Sequence, residues 1–528
     1  MWNPSPLAEK LKRAYSAERL FAFGEYCEST SPWRVLLVLL FNCSPPFIYM
    51  LILDAIPLQD PREGWRANVS FWVWQFTGCM ILTLSILLEA HLIVPEVKLS
   101  TTRKAVISIA VGAVYTICLM ILAHYWMFPV PFTMTIGGLP FGGTMNLLVV
   151  LSIGFADKPL LMKYFKFANS IAIQIMMVLV YPTYNAIFLS LDGIPQLAFV
   201  LLLPVMKTTL KYLIQKALPE EDDFIPALLS SVDIFDALYM TKCMQSTGTL
   251  LVGFGIILVD LVQNCAAILI LAKQTRTLRT ANAFHASVSG NPRDLLPFVF
   301  KELEKLQQLD SNSLRFGSRA FAVSIQAKTM LTRLRSIQAK TGRVFVQRKI
   351  SPKKTAKKKT AIGPSELLPG LKAAIPIPRP RPPEPTSYEV DIFKETACLL
   401  HESEAVVVVE YIETVVPILY AIYLSILFFL PNAKYYEDMQ GLTETKMHTL
   451  VMNILIYAAL ELLSLMYVAC MLKSNFGVSV FYQLAFALEN EWRIYQCNFM
   501  SWIVVIFDFL LIHNGCDFTF KFQWVYSD

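Results

Sequence analysis

The stretch AVISIAVGAVYTICLMILAHYWM, residues 105–127, decides the fold of this chain. It contains no Asp, Glu, Lys or Arg. A helix needs about 20 mostly apolar residues to cross the hydrocarbon core of a bilayer, and residues 105–127 provide that length. A segment inside lipid must satisfy its own backbone hydrogen bonds, which a helix does. Residues 105–127 are therefore predicted to form a transmembrane helix.

Other apolar runs of similar length indicate further spans. The whole chain is 55% hydrophobic and only 16% charged, which is too apolar for an ordinary soluble surface. We therefore predict an all-α fold, a polytopic transmembrane helix bundle with about ten spans (nine to eleven). The additional runs lie at 33–53, 71–94, 136–156, 169–190, 194–214, 248–272, 405–430, 450–472 and 498–514.

Charge divides the chain into segments. Between Ser311 and Ser365 there are 14 Lys/Arg and no Asp/Glu, although the net charge of the chain is only +6. Such a segment is predicted to form a long, basic, partly disordered cytoplasmic loop. The predicted organisation is a cytoplasmic N-terminal segment 1–32, a first membrane block 33–272, the basic, Pro-rich loop 273–404, a second block 405–514 and an aromatic tail 515–528.

The orientation of the spans follows from basic residues in short loops, which stay in the cytoplasm. The loops near Lys98 and Lys163 and the N-terminus are predicted to be cytoplasmic, and loop 54–69 then faces outward. Seven crossings before residue 273 would leave the basic loop outside, which contradicts its charge. Either 224–242, which contains Asp233 and Asp236, is a further span or re-entrant hairpin, or 128–143 dips into the membrane and returns. We favour the first.

Loop 54–69 leads into a possible modification site. Asn68-Val69-Ser70 has the pattern of an N-glycosylation acceptor, and Asn68 is the candidate residue. Because Asn68 lies directly beside the predicted membrane, a chance tripeptide explains the pattern equally well.

Three stretches resemble a known family. They are the loop residues 57–61 and 64–68, the segment Ser231-Val232-Asp233-Ile234-Phe235-Asp236-Ala237-Leu238-Tyr239 followed by 243–245, and the tail from Gly515 to Phe522. Together they resemble an uncharacterised family of multi-pass membrane proteins from filamentous eukaryotic microbes of the oomycete type. The resemblance implies residence in a membrane, and no activity is attached to it.

Ionisable and polar residues within the predicted spans are candidates for function, because charges at membrane depth cost several kcal/mol unless they are paired or hydrated. Glu410 and Glu413 are three residues apart and share one helix face. A polar path for protons or cations is one interpretation, and structural pairing with Lys207 or with the backbone is the other. The candidate path residues are Asp260, Gln263, Asn264, Glu410, Glu413, Glu461 and Asp508.

The sequence contains no motif that indicates catalysis or metal binding. None of the six histidines lies four residues from another, as a helical metal-binding pair requires. Nucleotide-binding and nucleophile-elbow motifs are also missing from the sequence. The chain is therefore predicted not to be an enzyme and to need no metal or cofactor.

The basic loop predicts binding partners. A lysine cluster beside a bilayer gains about 1 kcal/mol per residue near anionic lipid. An apolar stripe at helical spacing from Ala320 to Ile337 precedes the cluster. A plain connector is the alternative. The Pro-rich run 376–385 could dock an SH3-like partner, whereas nucleic acid is not favoured because aromatic residues in the loop are sparse. The candidate lipid-binding residues are Lys353, Lys354, Lys357, Lys358 and Lys359.

Two functional hypotheses follow. The first is a transporter- or channel-like protein with an acidic polar path. The alternative is a non-transporting membrane scaffold or receptor-like protein whose basic loop binds anionic lipid or a cytoplasmic partner. The expected location is a membrane, either the plasma membrane or an endomembrane.

Overall fold

The computed structural model describes residues 14–217, 225–246, 323–350, 387–436 and 439–516, with single residues or short groups between 255 and 321. The chain forms two compact units. The first unit comprises residues 1–28 and 276–401, and the second comprises 29–275 and 402–528. Within the described ranges the regular elements are helices, beside one isolated β-bridge that joins loop residues of the second unit.

The α-helices are numbered here in chain order. Those of the described ranges are α1 (Ala17–Ser29), α2 (Pro32–Phe41), α3 (Ser44–Asp54), α4 (Val69–Ile93), α5 (Thr101–Tyr125), α6 (Thr133–Ile153), α7 (Lys158–Ser190), α8 (Ile194–Val200), α9 (Leu202–Ala217), α10 (Ile225–Ser246), α11 (Ile325–Ile350), α12 (Ser387–Leu427), α13 (Glu444–Phe476), α14 (Val480–Asn490) and α15 (Trp492–Phe509).

Seven helices of the described part are long and apolar enough to cross a membrane, as judged by length and composition. The count rises to eight if α2 and α3, which meet at a 40° bend, form one broken span. The bend falls where Pro45 and Pro46 open α3, because proline lacks the N–H that would continue the helix. The seven are α4, α5, α6, α7, α8 with α9, the 393–427 part of α12, and α13.

The outer faces of these helices are apolar. In α5, Ile109, Ile117 and Ile121 are each about half exposed, and Leu139 of α6 is 81% exposed. A soluble monomer rarely presents so much contiguous apolar surface, whereas lipid covers it at no cost. The second unit is therefore an apolar, multi-helix unit of the kind found in multi-pass membrane proteins.

Two helices, α10 and α15, occupy the interior of the second unit. They pack against each other, and α10 also contacts α7, α9 and α13. Nearly every described side chain of both helices is buried, so neither has an amphipathic stripe. At a rise of 1.5 Å per residue, the 22 residues of α10 extend about 33 Å, which is long enough to cross a bilayer.

Helix α10 bears on the conflict in the predicted orientation. The favoured explanation placed a further membrane element at 224–242, and the structure contains a continuous helix, Ile225–Ser246, there. The other explanation required 128–143 to dip in and return, but α6 runs without a break from Thr133 to Ile153, through Pro140. Most of the predicted span 248–272 lies outside the described residues, and the structure does not confirm a total of ten spans.

Connecting segments of the second unit gather in two groups. In the first group, Arg34 pairs with Glu489 at 2.9 Å, and Lys163 pairs with Glu96. Helices α4, α6 and α13 end in this group, whereas α5 and α7 begin there.

The second group lies at the other ends of these helices. The Asn432 side chain donates to the carbonyl of Ile56 (2.8 Å) and accepts from the N–H of Leu58 (2.9 Å). The N–H of Phe132 donates to the carbonyl of Gly515 at 3.0 Å. A β-bridge between Tyr436 and Leu511 links the two pairs. The loops 55–68, 126–132 and 510–516 therefore meet the described parts of the loop after α12, 428–436 and 439–443, at one end of the second unit.

The first unit joins the N-terminal helix to part of the predicted basic loop. Glu18 of α1 pairs with Arg335 of α11 at 2.5 Å, and Glu25 accepts the N–H of Ser324 at 2.8 Å. Apolar residues of the predicted stripe do lie on one helix: Ala327 and Leu334 are buried, although the helix begins at Ile325. The lysine cluster 353–359, the Pro-rich run and the tail after Cys516 lie outside the described residues.

Candidate functional site

Five ionisable side chains meet inside the second unit and form what we call the ion-pair cluster. The Lys207 Nζ lies 2.5 Å from Glu413 Oε1, 3.0 Å from Asp236 Oδ2 and 3.6 Å from Asp233 Oδ1. Lys211 Nζ lies 2.6 Å from the same Asp233 oxygen. Two lysines and three carboxylates are thus linked across three helices, α9, α10 and α12.

The spacing of the residues explains how each helix presents its charges. Lys207 and Lys211 are four residues apart on α9, and Asp233 and Asp236 are three apart on α10, so each pair shares one helix face. Glu413 reaches Lys207 from α12, which belongs to the second predicted block of spans. The cluster therefore joins the two halves of the sequence.

The cluster is buried and lies near the middle of its helices. The side chains of Asp233 and Glu413 are each 3% exposed, and that of Lys207 is 12% exposed. Asp236 lies 11 residues after the start of α10 and 10 before its end, about 15 Å from each. Charges so placed would lie far from either surface of a bilayer, where they need partners or a function.

A second buried polar network joins the ends of α3, α4, α12 and α15. Asp54 accepts hydrogen bonds from the hydroxyls of Tyr423 (2.7 Å) and Tyr436 (2.8 Å). Asp508 accepts from the side-chain amides of Gln75 (3.1 Å) and Asn514 (2.9 Å). Both carboxylates are therefore surrounded by donors, an arrangement that stabilises an anion and leaves no ready set of oxygens for a cation.

The second group of loops extends this network through a histidine. The Nε2 atom of His513 lies 2.8 Å from the Gln59 carbonyl and 3.2 Å from Asn68 Oδ1. Since a carbonyl only accepts, Nε2 carries the proton. Burial lowers the pKa of His513 to about 4, and the hydrogen bond to Gln59 opposes that shift. The Asn68 amide nitrogen donates to the carbonyls of Asp60 (3.1 Å) and Gly64 (3.0 Å).

The predicted path residues separate in the structure. Glu413 belongs to the ion-pair cluster, and Glu410, one turn earlier on α12, is buried. Glu461 is buried midway along α13, whereas Asp508 belongs to the Asp54 network at the end of α15. The described members of the seven candidates therefore do not line one continuous path. Gln263 is half-buried, and Asp260 and Asn264 lie outside the described residues, as do all five candidate lipid-binding lysines.

Asp233 and Asp236 are the two residues of the ion-pair cluster that were not among the candidates predicted from the sequence. They appeared only as charges interrupting an apolar segment, although their spacing of three places both on one face. Lys207 was the signal that could have identified them, because a lysine within a predicted span needs an acidic partner. The second network was harder to foresee, since Asp54 and Gln75 lie at the ends of predicted spans.

Among the described residues, no group of three or more His, Cys, Asp or Glu side chains is arranged to hold a metal ion. No family model, curated protein or solved structure matches this chain. Fold and site together define a multi-helix protein suited to a membrane. A buried ion-pair cluster lies near the middle of its helices.

Proposed function

We propose that this chain is a multi-pass membrane transport protein whose ion-pair cluster is the site that couples charge movement to conformational change. The observation that carries the proposal is Lys207, held between Glu413 and Asp236 near the middle of three helices. Buried ion pairs add little stability compared with well-packed apolar residues. Intramembrane charges of this kind commonly belong to ion pathways and proton relays.

Breaks in neighbouring helices support the same proposal. Helix α9, which contributes both lysines, follows directly on α8 after a single non-helical residue, Leu201, and Pro204 lies in its first turn. Helices α2 and α3 are bent by 40°. Discontinuous helices near a central charged site are a common feature of transporters, because they let two bundles move around it.

The same proposal includes a topology. The Glu18–Arg335 pair puts α1 and α11 in one compact unit, which is easiest to build if the N-terminus and the loop after residue 273 share one side of the membrane. An even number of crossings must then separate them. Counting α10 and the sequence-predicted span 248–272 gives eight, and α12, α13 and α15 bring the total to eleven.

Reconstitution tests the transport function. Purified full-length protein in proteoliposomes should support uptake of protons, Na⁺ or K⁺ under an imposed gradient, and Lys207→Met should abolish it. Lys163→Met is the matched control, because Lys163 also pairs with an acid but both partners are more than half exposed. Wild-type flux no greater than that of empty vesicles for all three cations would contradict the proposal.

One observation favours the alternative function, a scaffold that binds anionic lipid through its basic loop. Helix α11 buries Ala327 and Leu334 but exposes Lys328 and Arg333, so its apolar stripe is covered by protein and its basic side remains accessible. Reversing the charge of the five lysines 353–359 in the full-length chain should weaken its binding to anionic lipid. Unchanged binding would exclude the lysine cluster as a lipid site.

A further inference from the structure

A tyrosine beside the ion-pair cluster lacks the hydrogen bond that its burial demands. The Tyr181 side chain on α7 is fully buried, and its hydroxyl has no hydrogen-bond partner among the described residues. Leaving a buried hydroxyl unsatisfied costs free energy, so native structures seldom retain one without a water or ligand beside it.

The position of Tyr181 is set by aromatic packing on α10. Its ring lies 5.6 Å from that of Phe235 and 5.3 Å from that of Tyr239, centroid to centroid. Phe235 directly precedes Asp236 and Tyr239 follows it by three residues, so the Tyr181 ring packs on the stretch of α10 that contains Asp236. The buried Tyr181 side chain thus lies at the contact between α7 and α10, beside the part of α10 that contributes Asp236 to the ion-pair cluster.

A second unsatisfied group lies on the same helix. Both polar atoms of the Gln174 side-chain amide are buried and lack a partner among the described residues. Gln174 precedes Tyr181 by seven residues, which is two turns and about 10 Å along one face of α7. Two buried polar groups without partners among the described residues thus lie on one face of α7, and Tyr181 is the one that packs against α10.

We propose that the Tyr181 hydroxyl holds a water molecule that delivers protons to Asp236, so that the proton is the coupling ion of the cluster; this rests on the proposed transport function. A hydroxyl can accept and donate at once, which a proton relay requires. A hydronium ion at this position gives its proton to an Asp236 carboxylate oxygen. Its O–H bond breaks, the electron pair stays on the departing water, and a neutral carboxylic acid forms.

Protonation changes the balance of charge around Lys207. Once Asp236 is neutral, Lys207 keeps Glu413 as its nearest anionic partner, and its attraction to α10 decreases. Helix α9 can then move relative to α10. Helices α7, α9, α13 and α15 pack against α10. Their described titratable groups, with those of α10 itself and of α12, include Tyr181 and Tyr184 of α7, Lys207 and Lys211 of α9, Asp233, Tyr239, Lys242 and Cys243 of α10, Glu413 of α12, Glu461 of α13, and Tyr495 and Cys497 of α15.

Tyr184 offers a matched control for Tyr181. It lies one turn away on α7, is also buried, and its hydroxyl donates to the Phe199 carbonyl at 3.3 Å. Tyr184→Phe therefore loses a hydrogen bond within the protein, whereas Tyr181→Phe loses only the contact with the proposed water. We expect Tyr184→Phe to lower the melting temperature in detergent and leave proton coupling intact. We expect Tyr181→Phe to lower the melting temperature less than Tyr184→Phe does, because it breaks no hydrogen bond within the protein, and to slow proton-driven flux at least about tenfold.

A second measurement does not depend on transport. Infrared difference spectra of the purified full-length protein, recorded across pH, should show a carboxylic acid band that disappears in Asp236→Asn. In Tyr181→Phe the titration midpoint of that band should move by about one pH unit or more, whereas Tyr184→Phe should leave it in place.

The outcomes separate the two proposals. A titrating Asp236 band that responds to Tyr181→Phe, in a protein without measurable flux, would support the proton site and contradict the transport function. Flux driven by Na⁺ or K⁺ and insensitive to pH would support transport and overturn the proton site. An Asp236 band that ignores Tyr181→Phe would overturn the role of Tyr181.

Discussion

The Nζ atom of Lys207 lies 2.5 Å from Glu413 Oε1, although the two residues are 206 positions apart in the sequence. The contact connects α9, from the first block of predicted spans, with α12, from the second. It is one of three carboxylate contacts that Lys207 makes in a buried site. Stability of the second unit should therefore depend strongly on this single ammonium group.

Removing that group should destabilise the fold. Breaking a buried ion pair from one side typically costs about 3–5 kcal/mol, because the remaining charges lose their compensation. We expect Lys207→Met to lower the free energy of unfolding in detergent by about 3–5 kcal/mol, and Lys207→Arg to recover part of the loss. Adding Glu413→Gln to Lys207→Met should cost less than the sum of the single changes, since the two residues are coupled. Strict additivity would contradict a direct pair.

The tyrosine bonds to Asp54 should also be measurable. Tyr423→Phe and Tyr436→Phe each remove one donor to a buried carboxylate, a bond worth about 1.5–3 kcal/mol. Each variant should unfold at a lower temperature than wild type. Tyr125→Phe, at a position that is 82% exposed, should have no effect on unfolding. Equal melting temperatures in all three variants would contradict the network.

His513 should make stability depend on pH. The folded protein lowers the His513 pKa from 6.5 to about 4, so the unfolded chain takes up a proton first as the pH falls. This contribution is fully present above pH 6.5 and is lost as the pH falls toward 4, amounting to about 3 kcal/mol at most. Melting temperatures measured across this range should decline less steeply in His513→Gln. The exposed His448→Gln should retain the wild-type slope.

Asn68 should carry no glycan. It is fully buried, and both ends of its amide are engaged, with Asp60 and Gly64 on one side and His513 on the other. An attached sugar would replace one of the two amide hydrogens, so at least one of the hydrogen bonds to Asp60 and Gly64 would be lost, and the buried site has no room for it. Glycosidase treatment of protein from a eukaryotic host should leave its electrophoretic mobility unchanged. The Asn68→Gln substitution should also leave that mobility unchanged. A mobility shift that Asn68→Gln removes would contradict this placement.

Gly515 occupies a position that another residue would strain. Its φ is +58°, and an added Cβ would collide with the carbonyl oxygen of Val130. We expect Gly515→Ala to destabilise the second group of loops by about 1–3 kcal/mol. Gly138→Ala is the control, because a Cβ there meets nothing within 4 Å and alanine favours the helix. Equal stability of both variants would contradict the tight contact.

Hydropathy predicted the apolar helices well, because lipid demands long apolar segments whatever their neighbours. It placed α5 near 105–127 and α13 near 450–472. Hydropathy gave a weaker prediction for α10, because Asp233 and Asp236 interrupt its apolar sequence. A helix surrounded by protein can contain two aspartates when a neighbouring helix supplies lysine. That compensation is a tertiary property.

The candidate site was only partly predictable for the same reason. Glu413 stood out because an acid inside a span needs an explanation, and its partner Lys207 stood out likewise. Tyr181 gave no signal, because a tyrosine in an apolar helix usually bonds a neighbour with its hydroxyl. The missing bond becomes visible only when the surrounding helices are in place.

The long separation between Lys207 and its partner on α12 has a consequence for biosynthesis. When α10 emerges from the ribosome, its aspartates can meet Lys207 and Lys211 at once, so the two helices can enter the bilayer as a neutralising pair. Glu413 is synthesised much later, after the entire basic loop. A chain truncated before α12 should consequently stall as a loosely assembled intermediate, recognised by insertion chaperones or membrane proteases until its last helices arrive.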